Sequence, residues 1–458
     1  LADLDIDPRH GIEAQQVRSE VELAGVATPV PEGPLSELEL GPGAVATLLL
    51  DPQHLTGYST QVAAVALRLT STRPVVAYQF NPLCCSFSYS NDASLLLPVE
   101  ALDTEYTFLG APDWPVPSNA GAISPQGFTI AAGSDATTVE VTLPDGAEIQ
   151  PIRSPRVTRE TDDDRRLTAV LNAGDVLHVG SASTSRHAQQ LDGALIRTSA
   201  PVAVFSDHVC TNIPHSRPAC DHLEEQLIPR STWGRRYMLS PVARRSEVAT
   251  EVTYWRIIAG PEGALLTLGV PLADLHTLPP FSVGIPDCRQ NPERAGDQHD
   301  FVLGPNQNCM LATRHGVALT TSEPVMVLGF LVGQKAAATV AQSSETGDPS
   351  MFLLPPSAQF RESYTFLTPS TYEDDYMTLI APASAVVGFT LDGQPLDPTA
   401  PSIRADRIGG SDHVALHVPV GDGAHTVEGT APFGLLVYAY DQYVSYAYSG
   451  GLDLQKRR

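Results

Sequence analysis

Basic residues are scarce in this sequence. Charged residues make up 17% of its 458 positions, and 28 lysines and arginines stand against 52 aspartates and glutamates, which leaves a formal net charge of −24. Because such a chain repels the phosphate backbone of a nucleic acid, no nucleic-acid partner is expected. No run of about 18 apolar residues is present, so no membrane-spanning helix is predicted. The composition indicates a soluble, acidic globular protein.

The signatures of common enzymes are also missing. The sequence contains no Gly-x-Ser-x-Gly elbow, no His-Glu-x-x-His metal motif and no Walker loop. It also has no Gly-x-Gly-x-x-Gly segment that follows a strand. Each of these motifs places a nucleophile, a metal or a phosphate at a defined turn. We therefore expect that the protein is not an enzyme.

Proline and glycine are abundant, with 39 and 35 copies. From Val45 onward, apolar residues alternate with polar ones or form short bursts that proline, glycine and aspartate interrupt. No long stretch keeps the 3.6-residue period of an amphipathic helix, whereas both patterns are typical of short strands joined by turns. The sequence therefore predicts an all-β protein.

A recurring segment organises the chain. It consists of a strand with Pro-Val, a loop, an aspartate, an apolar run, a proline and a tyrosine eight positions after that proline. Its three copies contain Asp92, Pro98 and Tyr106; Asp221, Pro229 and Tyr237; and Asp348, Pro356 and Tyr364. We interpret the segment as an internal repeat. Its aspartates are expected to hold turns, and its tyrosines to be half-buried with a hydrogen-bonded hydroxyl.

The repeat predicts tandem β-sandwich-like units packed together. Residues 1–44 are interpreted as an acidic linker or extension, and 45–207 as the first β repeat with an opening half-unit. Residues 208–330 form the second repeat with a Cys/His loop, and 331–458 the third repeat with the closing strands. Because the chain opens and closes with half-units that can pair, a closed propeller-like ring of β-sheets is the alternative.

The stretch from Pro201 to Tyr237 concentrates the residue types that carry chemistry. It begins as an apolar strand, passes through a polar loop between Cys210 and Cys220, and ends near a tryptophan. We predict a rigid, protruding loop over 208–222, with a second loop over 84–92, that contacts a partner. The residues expected to contribute to the binding loop are His208, His215, Asp221, His222, Glu224, Glu225 and Trp233.

Cys210 and Cys220 admit two interpretations. An even number of cysteines, four of them in two closely spaced pairs, favours disulfides and an oxidising compartment. Alternatively, His208, Cys210, Cys220 and His222 supply two imidazoles and two thiolates, which is a full tetrahedral zinc set. The disulfide is the preferred interpretation.

The remaining cysteines are interpreted in the same way. Cys288 and Cys309 bracket a polar insertion and are predicted to form a second disulfide. Cys84 and Cys85 are adjacent, so they form either a strained vicinal disulfide or bonds to another chain or segment.

No cofactor is predicted, but zinc and calcium remain alternatives. Carboxylate and amide oxygens are the ligands that calcium prefers. Asn91 with Asp92, or Glu373 with Asp374 and Asp375, would offer such ligands, although no calcium-loop motif is present.

Several segments resemble the IgG Fc-binding protein N-terminal domain family. They are PVAVFSDHVC (201–210), CDHLEEQLIPRSTWGRRY (220–237), QFNP (79–82), SNDASLLLP (90–98), RIIAG (256–260) and YDQYVSYAYSGG (440–451). The resemblance covers about residues 45–452, and the wording of 79–82 and 90–98 is similar to the bacterial branch. It implies a secreted or surface-anchored β-rich module that is part of a longer protein, and it supplies no catalytic residues.

Together these observations predict an extracellular module of a bacterial surface protein. Its expected role is adhesion or scaffolding through loops that contact a protein or glycan partner. The chain begins at Leu1 without a visible leader, so we expect a removed signal or a longer, secreted or lipoprotein-anchored precursor. The alternatives are a zinc- or calcium-dependent hydrolase centred on His208 and His222, or a structural subunit of a larger surface assembly.

Overall fold

A computed structural model provides the coordinates of the chain. The described residues are 2–6, 18–23, 26–29, 37–41, 43–49, 59–81, 90–115, 123–182, 191–218, 220–245, 251–275, 285–290, 298–337 and 346–454. Cys84 and Cys85 therefore lie outside the described residues, as do most residues of the predicted loop 84–92.

Short strands form nearly the whole fold. In the first part of the chain they are β1 (Ala2–Ile6), β2 (Arg18–Leu23), β3 (Val26–Pro29), β4 (Glu37–Leu40), β5 (Val45–Leu49), β6 (Gln61–Ala64), β7 (Leu69–Ser71), β8 (Ala77–Asn81), β9 (Asp92–Leu96), β10 (Asp103–Thr107), β11 (Trp114–Pro115), β12 (Ile123–Ser124), β13 (Gln126–Ala132), β14 (Thr137–Thr142), β15 (Val157–Arg159), β16 (Arg166–Leu171) and β17 (Asp175–Gly180).

The second part of the chain continues in the same way. Its strands are β18 (Leu195–Thr211), β19 (Asp221–Leu227), β20 (Gly234–Leu239), β21 (Thr253–Ala259), β22 (Ala264–Leu268), β23 (Asp300–Leu303), β24 (Asn308–Thr313), β25 (Gly316–Leu331), β26 (Ser350–Leu353), β27 (Arg361–Thr368), β28 (Asp374–Pro382), β29 (Thr390–Leu391), β30 (Gln394–Pro395), β31 (Arg404–Gly409), β32 (His413–Pro419), β33 (Gly423–Asp441) and β34 (Val444–Ser449). Within the described residues the one α-helix is α1 (Gln334–Ala337), and short 3-10 turns lie at Val99–Ala101, Arg230–Thr232, Leu272–Asp274, Cys288–Gln290, Ser357–Gln359 and Val386–Gly388. The prediction of an all-β protein is confirmed.

Two large sheets dominate the fold. One has nine strands and includes the path β15-β16-β14-β18-β13-β17-β6, with β10 and β19 also paired to β18. The other has fifteen strands, from β20 to β34, and is antiparallel except where β25 pairs in parallel with β31. Smaller sheets join β4-β1-β7, β3-β2-β5, β11-β12 and β8-β9.

Three long strands, β18, β25 and β33, each pair with several shorter strands of the two large sheets. They are 17, 16 and 19 residues long, and each contains a proline: Pro201, Pro324 and Pro432. Beside each proline the pairing with β10, β20 or β27 shifts register. A register shift bends a strand, and proline donates no hydrogen bond to a neighbouring strand. Each long strand consequently has one set of neighbours before its proline and another after it.

A ring of four strands lies where the long strands end. Each of these strands is the second strand of a hairpin, and the four hairpins are β8–β9, β18–β19, β25–β26 and β33–β34. Around the ring β9 contacts β19, β19 contacts β26, β26 contacts β34, and β34 contacts β9. We call these four strands the hub. Because β34 is the last described strand, the hub brings the C-terminal end of the fold against the hairpin β8–β9. Among the described strands β34 pairs only with β33, so the closed propeller-like ring stays a prediction.

The hydrophobic core is divided into three large clusters. Phe128 and Leu353 belong to the first cluster, Trp255 and Phe301 to the second, and Phe433 to the third. Leu353 lies in the predicted third repeat, so residues from different predicted units share the first cluster. The unit boundaries proposed from the sequence remain predictions.

The three repeated tyrosines are buried and make the same contacts. Tyr106, Tyr237 and Tyr364 are at most 4% exposed. Their hydroxyls donate to the carbonyl oxygens of Val202, Val325 and Phe433 at 2.7, 2.5 and 2.5 Å, respectively. Each hydroxyl also accepts a hydrogen bond from the backbone N–H three residues earlier, at 3.2, 3.1 and 2.9 Å. Each tyrosine thus ties the start of its own strand to the bend of a long strand.

Candidate functional site

A disulfide joins the ends of the hairpin β18–β19. Cys210 and Cys220 are bonded, with their Cα atoms 5.2 Å apart. Between them residues 211–214 are buried, whereas residues 216–218 are exposed. Ile213 is fully buried, its carbonyl oxygen accepts a hydrogen bond of 3.0 Å from the Gly333 N–H, and Asn212 is also buried. The expectation of a protruding loop is therefore wrong for residues 211–214, because they pack onto the chain that follows β25. For residues 216–218, which are exposed, it stays a prediction.

Most of the predicted binding-loop side chains lie inside the protein. His208, Asp221, Glu224, Glu225 and Trp233 are at most 3% exposed. A side chain buried to this degree offers no surface to a partner, so the prediction that these five residues contact one is wrong. The reason is that β19 is covered on both of its faces, with six of its seven residues buried. The remaining two residues, His215 and His222, are partly exposed.

The histidines near the disulfide are held as neutral groups. Nδ1 of His208 accepts a hydrogen bond of 3.2 Å from the Cys210 N–H. Burial lowers the pKa of His208 to about 3, and the nearby His215 acts in the same direction. Burial also lowers the pKa of His215 to about 3. These imidazoles are therefore uncharged at neutral pH.

The disulfide between Cys210 and Cys220 argues against the zinc alternative. Zinc binds cysteine as the thiolate, but the sulfurs of Cys210 and Cys220 are bonded to each other. In the oxidised protein the set proposed with His208 and His222 therefore lacks its two sulfur ligands. Nε2 of His222 is instead 3.1 Å from Nδ2 of Asn81.

Asp92 fastens three strands of the hub together. Its carboxylate accepts hydrogen bonds from the Ala93 N–H at 2.9 Å and the Glu224 N–H at 3.1 Å. It also accepts from the Ser350 hydroxyl at 2.6 Å and the Met351 N–H at 3.0 Å. These donors belong to β9, β19 and β26. Burial raises the pKa of Asp92 well above its usual range, and the four donors act against that rise.

Further carboxyl groups surround Asp92. Oε2 of Glu224 accepts from the side-chain amide of Gln79 at 2.5 Å, and Oε2 of Glu225 accepts from the Leu353 N–H at 3.1 Å. Burial, followed by the proximity of Asp92, raises the pKa of both glutamates. The hub is thus a buried polar network that crosses between strands.

The other two repeated aspartates meet at the same place. Burial raises the pKa of Asp221, and the nearby carboxyl of Asp348 raises it further. Burial raises the pKa of Asp348 to about 8, while Arg245 acts in the opposite direction. The three aspartates that recur at one position of the sequence pattern therefore converge in the hub. The sequence predicted their structural role but not their convergence.

The predicted calcium ligands are used in other contacts. Asn91 donates through its amide to the Tyr372 hydroxyl, and Asp375 accepts a hydrogen bond of 2.9 Å from the Tyr446 hydroxyl. Burial raises the pKa of Asp375 to about 7. Across the described residues no group of three or more His, Cys, Asp and Glu side chains is arranged to hold a metal ion.

The second disulfide lies in the hydrophobic core. Cys288 and Cys309 are bonded with their Cα atoms 5.0 Å apart, and both are buried in the second core cluster. Cys309 lies on β24, which pairs with β21, so the bond ties the start of the insertion to the fifteen-stranded sheet. Two ion pairs that the sequence did not reveal are also buried: Arg256 with Asp192 at 2.9 Å, and Arg245 with Glu251 at 2.6 Å.

The helix content bears on a membrane location. Among the residues that the structure describes, no helix is long and apolar enough to cross a membrane.

Comparison with known proteins identifies the family of the chain. A protein-family model described as IgGFc binding protein matches residues 92–439. The chain is also similar to the human (Homo sapiens) IgGFc-binding protein, with 25% identity over 362 residues. That alignment covers 78% of this chain and 6% of the human protein, so the chain spans a small part of its relative's length.

Proposed function

Because the chain belongs to the IgGFc-binding protein family, we propose that it is an extracellular, non-catalytic module that binds a protein or glycan partner. The family match, which covers residues 92–439, is the observation that carries this proposal. The human relative is named for binding the Fc part of IgG, and that activity is one candidate for this chain. The finer assignment, from the sequence wording, is adhesion or scaffolding at a bacterial surface.

The disulfides support the location. Disulfides form and persist in oxidising compartments such as the cell exterior. Cys210–Cys220 closes the hairpin that leads into the hub, and Cys288–Cys309 lies in the core. A module stapled in this way keeps its surface arranged before a partner arrives, which lowers the entropic cost of binding.

The surroundings of the chemistry-bearing residues support a non-catalytic role. General acid–base groups must reach the substrate, whereas His208, Glu224 and Glu225 are buried. Glu224 accepts from Gln79 of β8 and Glu225 accepts from the Leu353 N–H of β26, so both glutamates join separate strands, which is a structural task. A metal-dependent hydrolase centred on His208 and His222 would instead require an opening to solvent at this place.

The repeat is part of the same proposal. Three tyrosines with identical hydrogen-bonding patterns, and three aspartates that meet in the hub, support an internal repeat that builds one rigid body. Such a body suits a scaffold that presents its outer surfaces to other molecules.

A binding assay tests the proposal directly. The folded chain is passed over immobilised IgG Fc, with the Fab fragment as a matched control, and over an array of oligosaccharides. We expect saturable binding to at least one of these surfaces that is lost when the chain is reduced and unfolded. Absence of binding to all of them would contradict the proposal, and a metal-dependent hydrolytic activity that a chelator removes would then favour the hydrolase. Self-association into large assemblies without binding would favour a structural subunit.

A further inference from the structure

A polar groove crosses the outward face of the nine-stranded sheet. It has a volume of about 720 Å3 and is formed by β15, β16, β14 and β18, which are neighbours in that order. Its polar lining includes Glu140, Arg156, Thr158, Thr168, Asn172 and Arg197. A volume of this size lies within the range of sites for small organic ligands.

The strand register aligns the polar side chains in a row. Thr158 is paired with Thr168, Thr168 with Glu140, and Glu140 with Arg197. Residues that are directly opposite each other on adjacent strands project from the same face of a sheet. Hydroxyl, hydroxyl, carboxylate and guanidinium groups thus follow one another across four strands. None of these four side chains is buried.

The opposite face of the same strands makes the floor rigid. Val139, Val157, Ala169 and Ile196 alternate with the outward residues and are at most 6% exposed in the first core cluster. Packing on one face fixes the backbone that presents the other. A ligand would therefore meet polar groups that are already in place.

The charged groups of the groove keep hydrogen-bonding capacity for a ligand. Nε of Arg197 lies 3.4 Å from Oε1 of Glu105, and both side chains are about half exposed, at 54% and 52%. Arg156 donates to the Val170 carbonyl oxygen at 2.8 Å and pairs with Asp175. Because a guanidinium carries five N–H donors, each arginine can hold these partners and still donate to a ligand.

The lining distinguishes between classes of partner. The cores of protein–protein interfaces are rich in aromatic and apolar side chains. The groove has no aromatic residue, and Val170, at 50%, is its one exposed large apolar side chain. Hydroxyls, an amide, a carboxylate and two guanidiniums instead complement a ligand that carries many hydroxyl groups.

We propose that this groove binds an oligosaccharide. Glu140 accepts hydrogen bonds from sugar hydroxyls, and Arg197 and Asn172 donate to sugar oxygens. The hydroxyls of Thr138 and Thr158 do both, whereas those of Thr168 and Thr198 already donate within the protein and accept from the sugar. This assignment rests on the proposed binding function and names its ligand class and position. An acidic sugar would gain further contacts from the two guanidiniums, whereas a neutral sugar would depend mainly on Glu140.

An oligosaccharide array provides the test. The chain is applied to an array of neutral, sialylated and sulfated oligosaccharides, and the strongest one is titrated in solution against three variants. Glu140→Gln removes the carboxylate with almost no change of shape, and Arg197→Ala removes a guanidinium. Glu428→Gln is the matched control, because Glu428 is also a strand glutamate that is not buried, but it lies on β33, outside the groove. Thermal unfolding checks that each variant is folded.

We expect Glu140→Gln to weaken binding about tenfold, the typical value of one charge-assisted hydrogen bond, while Glu428→Gln leaves it unchanged. A larger loss with Arg197→Ala for acidic than for neutral sugars would identify an acidic ligand. The groove assignment is overturned if the array retains no chain on any oligosaccharide. It is also overturned if Glu140→Gln binds the oligosaccharide with the same affinity as the wild type. If the chain then still binds Fc, the proposed function stands without this site; if it binds nothing, both fall.

Discussion

The three buried tyrosines allow a quantitative test of how the fold is held together. Replacing Tyr106, Tyr237 or Tyr364 by phenylalanine removes one hydroxyl and leaves the ring in place. Each hydroxyl donates to a carbonyl oxygen of a long strand and accepts from a backbone N–H of its own strand. Burial raises the pKa of Tyr106 and of Tyr364, so these hydroxyls keep the proton that they donate.

The cost follows from the two backbone groups that lose their partner. A typical hydrogen bond contributes about 0.5–1.5 kcal/mol net, and a buried group that is left unpaired costs about 1–3 kcal/mol. We therefore expect each substitution to lower the free energy of unfolding by about 2–3 kcal/mol. The three values should be similar, because the three sites have the same geometry.

The assay is urea-induced unfolding followed by tryptophan fluorescence and near-ultraviolet circular dichroism. Tyr376→Phe is the control, because Tyr376 is only partly buried and its ring stacks on Tyr438 with centroids 5.7 Å apart. If the three substitutions cost no more than the control, the hydroxyls do not secure the bends of the long strands and the reasoning is refuted. If one site differs strongly from the other two, the equivalence of the units is refuted.

Three further predictions concern the hub and its disulfide. Asp92→Ala should lower the free energy of unfolding by about 3–5 kcal/mol in the same urea assay, because it leaves buried N–H groups of β19 and β26 without an acceptor; a loss below about 1 kcal/mol would contradict this. Burial raises the pKa of Asp348 to about 8. Between pH values of about 3.9 and 8 the folded state therefore keeps a proton on this carboxyl that the unfolded chain releases. That contribution to stability is complete below about pH 4 and is lost as the pH rises towards 8, so Asp348→Asn should flatten the slope of stability against pH across this range; an unchanged slope would count against it. Replacing both Cys210 and Cys220 by serine should lower the free energy of unfolding by about 3 kcal/mol, the chain-entropy value for a loop of this length. The measurement is the shift of the urea midpoint in oxidising buffer. An unshifted midpoint would show that the loop is held by its packing alone.

The prediction of binding residues failed for a specific reason. The concentration of polar and ionisable residues around the Cys210–Cys220 segment predicts an exposed loop that contains His208, Glu224 and Glu225. In the structure β19 lies inside the hub, where both faces of the strand are covered. The polar side chains are retained there because they hydrogen-bond to strands that are distant in sequence, as Glu225 does to the Leu353 N–H.

The groove was missed for the opposite reason. Its residues are ordinary surface threonines and arginines on separate strands, and no spacing marks them as a group. They become neighbours only through the pairing of β14 with β16 and β18. Their proximity depends on the register of the strand pairing, which the sequence pattern does not reveal.

Local patterns were enough to establish the strand content, the pairing of closely spaced cysteines and the threefold recurrence of aspartate, proline and tyrosine. These features depend on residues that are near each other along the chain, where periodicity and turn chemistry act directly. Tertiary structure decided the rest, because each tyrosine hydroxyl finds its carbonyl partner 96, 88 or 69 residues away. Which polar side chains are buried in the hub and which line an open groove depends on that long-range pairing, since burial is a property of the neighbours that the fold brings together.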